Sequence, residues 1–247
     1  MPFIKRPAEL YRFLAQYYDH IYGWKDYLGE TTLLVKIIKQ YRQSDGRALL
    51  DMACGTGGHL KYLVNQFDCT GVDLHSEMLD GAVRKVPSAT YIRGDMTNVR
   101  CGRLFDVVTC LFSSIAYLKT YDRLVQAFKN FSAHLRPGGI AVIEPWLTQK
   151  AYSVGRPGMA VYDGEKIKIA RLTIAKKKGM VSTIDMNYMV AEWNRPVRHF
   201  YDRHEMAMYN TRRMLTMMER VGLEAKFIAP HQPFDRGLLV GVKTEKS

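Results

Sequence analysis

No apolar stretch in this 247-residue chain approaches the roughly 20 residues that a bilayer span requires, so a membrane-spanning protein is not expected. Cysteine is scarce. The four present, Cys54, Cys69, Cys101 and Cys110, show neither Cys-x-x-Cys spacing nor a histidine cluster, which argues against a zinc or redox motif. Three of them fall in or beside expected core strands and read as small buried hydrophobes. The opening Met-Pro-Phe-Ile-Lys-Arg-Pro contains no apolar core of signal-peptide length. A cytoplasmic protein without a metal is therefore expected. Internal repeats and linkers are also missing, and 47% hydrophobic residues exclude a disordered chain.

Acidic residues are in the minority: 24 Asp and Glu face 36 Lys and Arg, a net charge of +12. Such an excess admits nucleic acid, a membrane surface or a small acidic substrate. Between Lys150 and Arg213, thirteen Lys or Arg stand against six Asp or Glu, so +7 of the excess is concentrated there. Lys176-Lys177-Lys178-Gly179 reads as a solvated hairpin tip or a phosphate contact.

What is present begins at residues 48–58, Ala-Leu-Leu-Asp-Met-Ala-Cys-Gly-Thr-Gly-Gly. Ala48 to Leu50 suits a buried parallel strand, ending at Asp51, where a carboxylate faces the amino-acid end of a ligand. Gly55 and Gly57 let backbone approach that ligand. Leu60, Leu63, Val64 and Phe67 then predict a covering helix over 58–67. A second run, Cys69 to Asp73, ends in a carboxylate able to accept from both hydroxyls of an adenosine ribose. With Asp95 as a third acid, these features predict an S-adenosylmethionine site. A nicotinamide dinucleotide is the nearest competitor, but its third glycine is replaced by Leu60, and Asp51 has no role beside a pyrophosphate.

Further along, Leu104 to Phe112 is a third apolar run, and Leu124, Val125, Phe128, Phe131 and Leu135 space a helix over 121–135. Pro137-Gly138-Gly139 is expected to break it before a strand at Ile140 to Ile143. From Trp146 to about Asn210 the rhythm becomes alternating, as in half-exposed antiparallel strands. A helix near 211–221 and strands near 225–228 and 238–242 close the chain. The expected fold is α/β, a Rossmann-like parallel sheet with helices on both faces and a small antiparallel β subdomain inserted over its carboxyl edge. Residues 1–145 would carry lid helices and the cofactor core, 146–210 the insertion, and 211–247 the closing elements.

The whole chain resembles the nucleotide-sugar N,N-dimethyltransferases, which methylate the amino group of dTDP-linked amino-dideoxy sugars such as the precursors of desosamine or mycaminose. The matching stretches are Tyr18-Asp-x-x-Tyr22 with Lys25-Asp-Tyr27, Leu49-Leu-Asp-Met-Ala-Cys-Gly-Thr-Gly, Gly94-Asp-Met, Leu111-Phe-Ser-Ser-Ile-Ala-Tyr-Leu-Lys-Thr, Leu135-Arg-Pro-Gly-Gly, Glu144-Pro-Trp, Val197-Arg-His-Phe and Arg236-Gly-Leu-Leu-Val-Gly. Two departures, a short loop between Tyr22 and Lys25 and an unusually basic insertion, fall on the expected substrate side.

The resemblance implies a class I methyltransferase fold, a homodimer, S-adenosyl-L-methionine as cofactor with S-adenosyl-L-homocysteine as product, and N-methylation of a nucleotide-linked amino sugar. Tyr22, Gly55, Gly57, Asp73, Met78, Asp95, Met96 and Leu111 would line the cofactor, joined by Asp51, Ala53, Thr56 and Leu74. Asp95 can accept from the adenine amino group, and the two methionines can sandwich a purine. Tyr18, Tyr22 and Tyr27 sit in a segment able to fold over the site. Candidate catalytic residues are Tyr18 and Tyr117, which could orient the amine, and Glu144 and His199, with His204 as a further proton acceptor. Arg198 and Arg236 are candidate phosphate readers, and Trp146 a candidate surface for sugar or base. Three readings stay open: another small amine as acceptor, RNA as acceptor, and cofactor binding without chemistry. Against RNA stands the lack of an Asn/Asp-Pro-Pro-Tyr/Phe tetrapeptide and of an evident RNA-binding module.

Overall fold

The computed structural model describes residues 9–245; the opening heptapeptide read above lies outside them. Seven strands form the main sheet in the order β10-β11-β5-β4-β1-β2-β3. Five of them, β1 (Ala48–Met52), β2 (Asp68–Asp73), β3 (Thr90–Arg93), β4 (Phe105–Cys110) and β5 (Leu135–Ile143), are parallel neighbours. The last two, β10 (Leu223–Ile228) and β11 (Leu238–Lys243), join antiparallel through β5. All residues of β1 and β4 are buried, because helices cover both faces and leave no side for polar alternation. The chain runs from β1 outward to β3, then crosses back to β4. This reversal opens a crevice at the carboxyl ends of β1 and β4, where ligands of open α/β sheets bind.

Side-chain caps fix the covering helices. Asp26 accepts from Gly29 N at 2.8 Å to start α2 (Tyr27–Tyr41), and Thr120 accepts from Arg123 N at 3.3 Å to start α5 (Tyr121–His134). Leu124, Ala127, Phe128 and Phe131 of α5 pack beneath β4 and β5, while Leu34, Val35, Ile37 and Ile38 of α2 cover the other face. Short segments finish the core: α1 (Tyr18–Ile21), α3 (Leu60–Leu63), α4 (Ser76–Lys85) and α6 (Thr211–Glu219). A separate four-stranded antiparallel sheet, β6 (Pro157–Asp163), β7 (Ile167–Lys178), β8 (Val181–Glu192) and β9 (Arg198–Ala207), is the insertion.

Two local expectations are corrected. The helix over 58–67 is a single α-turn at Leu60–Leu63, because the chain must turn again to hydrogen-bond Asp68 N to Arg47 O at 2.8 Å and open β2. Pro137-Gly138-Gly139 does not separate helix from strand. Instead β5 begins at Leu135 and carries the three residues, with a register shift against β4 and with Gly138 O accepting from Gln43 and Ser44 N–H. Lys176-Lys177-Lys178-Gly179 is the exposed end of a hairpin, as expected: Lys178 pairs with Val181 across the turn at Gly179 and Met180. Lys176 bonds Asp185 at 2.8 Å and Lys177 reaches the Gln149 and Tyr152 carbonyls.

Candidate active site

Beyond β1 the chain turns through positive φ at Ala53, Gly55 (+58°) and Gly57 (+76°), a sequence of left-handed residues that lays backbone N–H groups open to a ligand. The resulting loop borders a cavity of about 650 Å³ at the switch point of the sheet. Of the expected cofactor residues, Asp51, Ala53, Gly55, Thr56, Asp73, Leu74, Met78, Asp95, Met96 and Leu111 line it. Gly57 and Tyr22 do not. Gly57 makes the turn behind the wall, where a Cβ would meet Ala82 of α4 at 3.4 Å. Tyr22 lies one layer back, 4.7 Å from the Tyr18 ring, edge-on to Phe112 and under the Arg171 guanidinium.

The three acids are held in different ways. Asp51, buried and bonded by Thr109 Oγ1 at 2.7 Å, has its carboxyl pushed up to about 6 by burial, against the opposing pull of His59 and Thr109. Asp73 accepts Gly55 N at 2.9 Å and His75 N at 3.0 Å; burial raises its carboxyl despite those bonds. Asp95 takes Thr97 N and Oγ1 on one oxygen and Arg123 at 2.6 Å on the other, and although burial opposes it, these partners hold the carboxyl below its usual range. An anionic end for a cationic amino acid, a fixed ribose acceptor and an ionised acid near Met96 thus follow one another along the wall. This order of donors and acceptors fits adenosylmethionine from its ammonium to its adenine.

Residues 9–22 and α2 close the cavity. Asp19 Oδ1 accepts Thr56 Oγ1 at 2.7 Å and Lys85 Nζ at 2.6 Å, pinning α1 to the glycine loop and α4. Behind the loop, Glu30 is buried between Lys25 and His59 Nε2 (2.6 Å), with the Tyr27 ring edge-on to His59 at 4.9 Å. Burial would raise the Glu30 carboxyl, but His59 and Lys25 hold it below the usual range.

The candidate catalytic residues divide. Tyr18 and Tyr117 line the cavity. Glu144 does not and is reassigned: buried, it accepts Phe112 N at 2.7 Å and pairs with Arg236 at 2.8 Å, bridging the β4 and β11 loops. His199 is also corrected. It lies exposed on β9 opposite Met189 and outside the cavity, whose wall on this strand runs from Tyr201 to Glu205 without reaching it. His204, facing inward, borders the cavity instead and was not favoured on sequence grounds.

Among the substrate candidates, Arg236 stacks over Trp146 with its guanidinium carbon 4.8 Å from the ring centre, and Trp146 Nε1 donates to Ser182 Oγ at 2.9 Å. Neither lines the cavity. Arg198 donates from Nη2 to Glu192 (2.5 Å) and to Tyr17, away from it. Missed were Tyr11, His59, His75 and Arg123, all bordering the cavity. The inward parity of Asp202 and His204 with Phe200 and Met206 was the available signal for the β9 pair.

A methyltransferase-domain family matches residues 49–139. Over 231 residues the chain is 34% identical to the dTDP-3-amino-3,4,6-trideoxy-alpha-D-glucopyranose N,N-dimethyltransferase of Streptomyces venezuelae, spanning 92% of this chain and 97% of that enzyme. The crystal structure of Streptomyces venezuelae DesVI superposes with a TM-score of 0.88 at 33% identity, covering 94% of this chain and 98% of that one. The sugar N-methyltransferase KedS8 from Streptoalloteichus sp ATCC 53650 gives 0.87 at 31%, covering 99% and 97%. These matches span nearly the whole chain. The chain accordingly belongs to the sugar N,N-dimethyltransferases and is an S-adenosylmethionine-dependent methyltransferase.

Proposed function

We propose that this enzyme transfers methyl groups to the amino nitrogen of a nucleotide-linked amino sugar of the dTDP type. One observation carries the reading: the cavity continues from the acids at Asp51, Asp73 and Asp95 to a tyrosine-rich end at Tyr11, Tyr18 and Tyr117, beside the inserted sheet. Bound adenosylmethionine supplies a methyl group on a sulfonium. The chain supplies position and environment. Asp51 holds the ammonium of the amino-acid end, Asp73 the ribose hydroxyls, and Met78 and Met96 the faces of the purine. Tyr18 and Tyr117 orient the acceptor nitrogen, and the closed lid excludes water, so that in-line attack needs little further covalent help.

Arg236 and Trp146 remain our proposed nucleotide contacts, because Glu144 holds the guanidinium in place and the indole packs on its face. In this scheme 1–145 form the lid and hold the cofactor, 146–210 shape the acceptor side, and 211–247 close the core. We further propose a homodimer formed through the outer face of the inserted sheet. Cross-strand partners there, Met159 with Leu172 and Val161 with Ala170 and Met189, put apolar side chains on one face, with Met159 73% and Val161 62% exposed. A cytoplasmic location belongs to the same proposal: all four thiols are unpaired, as in a reducing compartment. Among the described residues, no helix is long and apolar enough to cross a membrane.

Mass spectrometry of the enzyme with adenosylmethionine and a panel of dTDP-, UDP- and GDP-linked amino sugars tests the substrate. Products heavier by one or two methyl groups are expected on the dTDP sugars. Cofactor binding without product on any nucleotide sugar would defeat the assignment and turn attention to other small amines.

A further inference from the structure

Four side chains from three separate parts of the fold join into one hydrogen-bonded file at the tyrosine-rich end of the cavity. Asp202 Oδ2 meets His204 Nε2 at 2.9 Å, His204 Nδ1 meets Tyr117 Oη in a short contact, and Tyr117 Oη meets Tyr11 Oη at 2.8 Å. Asp202 is 0% and His204 3% exposed. The main-chain N–H groups of Leu10 (3.0 Å) and Arg203 (2.8 Å) also donate to Asp202. Burial would raise that carboxyl, but His204 and these donors hold it below its usual range.

The directions of the hydrogens follow from one end. An ionised carboxylate only accepts, so His204 Nε2 must carry a proton, and when the ring carries that proton alone its Nδ1 accepts from the Tyr117 hydroxyl. Tyr117 thereby donates inward, and its oxygen accepts from Tyr11 with a lone pair left toward the cavity. Buried polar files are costly unless every member is satisfied, and a core hydroxyl needs no such buried imidazole and carboxylate behind it.

On the reading of the enzyme as an amine methyltransferase, we propose that Asp202, His204 and Tyr117 form the path by which the acceptor ammonium loses its proton. As the N–H bond breaks, its proton passes to Tyr117 Oη and the Tyr117 proton passes to His204 Nδ1. The electron pair stays on nitrogen, which attacks the methyl carbon. Asp202 balances the imidazolium, and on product release the proton returns through Tyr117 to water. Tyr117 touches the substrate; His204 and Asp202 act through it and are positioning residues. The other charged groups around His204 are Arg203, drawn to Asp185 at 2.6 Å, and Glu205, drawn to Lys119 at 2.6 Å; from β8 the residue opposite is Ile184.

Asp202→Asn and His204→Asn test the path. Both should lower kcat at pH 7 by about 100-fold or more with KM and adenosylmethionine affinity retained. The deficit should shrink as pH rises to 9, because neutral amine then arrives from solution. A purely structural role predicts a loss that is the same at every pH. In ¹⁵N-histidine NMR of the wild-type protein, Nε2 of His204 should be protonated and Nδ1 bare at pH 7, and Asp202→Asn should reverse this. Wild-type kcat in both variants, a pH-independent deficit or a protonated Nδ1 in the wild type would overturn the proposal. Kinetics are read on whichever amine the wild-type enzyme methylates, so failure of the sugar assignment shows in the acceptor panel, and failure of the path in the variants and the spectrum.

Discussion

Asp73 Oδ2 accepts the main-chain N–H of Gly55 at 2.9 Å, so the carboxylate expected to read ribose also closes the glycine turn. Ligand recognition and loop geometry therefore share one side chain. Asp73→Ala removes the ribose acceptor and leaves Gly55 and His75 N–H groups without their partner. Adenosylmethionine affinity should fall about 10- to 100-fold by calorimetry, on the scale of one or two charge-assisted hydrogen bonds. Unchanged affinity would remove adenosine from this position.

Asp51 gives a pH dependence with a definite sign. Its carboxyl is raised from 3.8 in the free residue to about 6 in the fold, so the folded protein binds the extra proton. The stability this contributes is present below about pH 4 and is lost as pH rises through about 6. Above that range the ionised, buried carboxylate destabilises the ligand-free protein by about 2–3 kcal/mol. Asp51→Asn should raise the ligand-free Tm at pH 8, leave it nearly unchanged at pH 4, and lose affinity for adenosylmethionine. Thermal melts of the two proteins across pH compare the residue directly, since their other titrating groups are the same.

The strand-turn-acid pattern was legible because β1 and β2 are apolar runs that each carry a carboxylate at the carboxyl end, Asp51 and Asp73. Helix length at 58–67 was not, since the early turn answers to the start of β2 and not to apolar spacing. Glu144 and Arg236 each looked exposed to substrate when read alone. Their pairing joins residues 92 positions apart and leaves no trace in local spacing. Parity on β9 separates the buried His204 from the exposed His199, but it does not decide which residues reach the cavity, since Tyr201, Arg203 and Glu205 share the parity of His199 and border it.

Arg236→Ala should raise KM for the nucleotide sugar while leaving cofactor affinity intact. It also strands the buried Glu144 carboxylate, so stability should fall by about 1–2 kcal/mol after allowance for the partly exposed guanidinium, read as a lower Tm. Arg236→Gln, which can still donate to Glu144, should recover much of the Tm but not the KM. Recovery of both would mean that the charge does not meet phosphate.

The outer face of the inserted sheet predicts its own outcome. Leu172→Lys places a charge amid the exposed Met159, Val161 and Met189 without touching the cavity. Light scattering should report about twice the 28.4 kDa chain mass for the wild type and a single chain for the variant. Equal masses would show that this face does not join copies.

The contact of Asp19 with Lys85 and Thr56 has a kinetic meaning. Adding two methyl groups requires spent cofactor to be exchanged between rounds, and α1 is fastened across the loop beside which it sits. Asp19 is nearly half exposed, and a surface ion pair of this kind is worth under about 1 kcal/mol. The fastening is thus strong enough to bias closure and weak enough to part in every round. Salt screens such a pair, so higher ionic strength is expected to speed cofactor exchange while leaving the transfer step alone, which single-turnover and multiple-turnover rates compared across salt would check. The balance between singly and doubly methylated product would then be set at this hinge of the lid, some distance from the nitrogen that receives the methyl group.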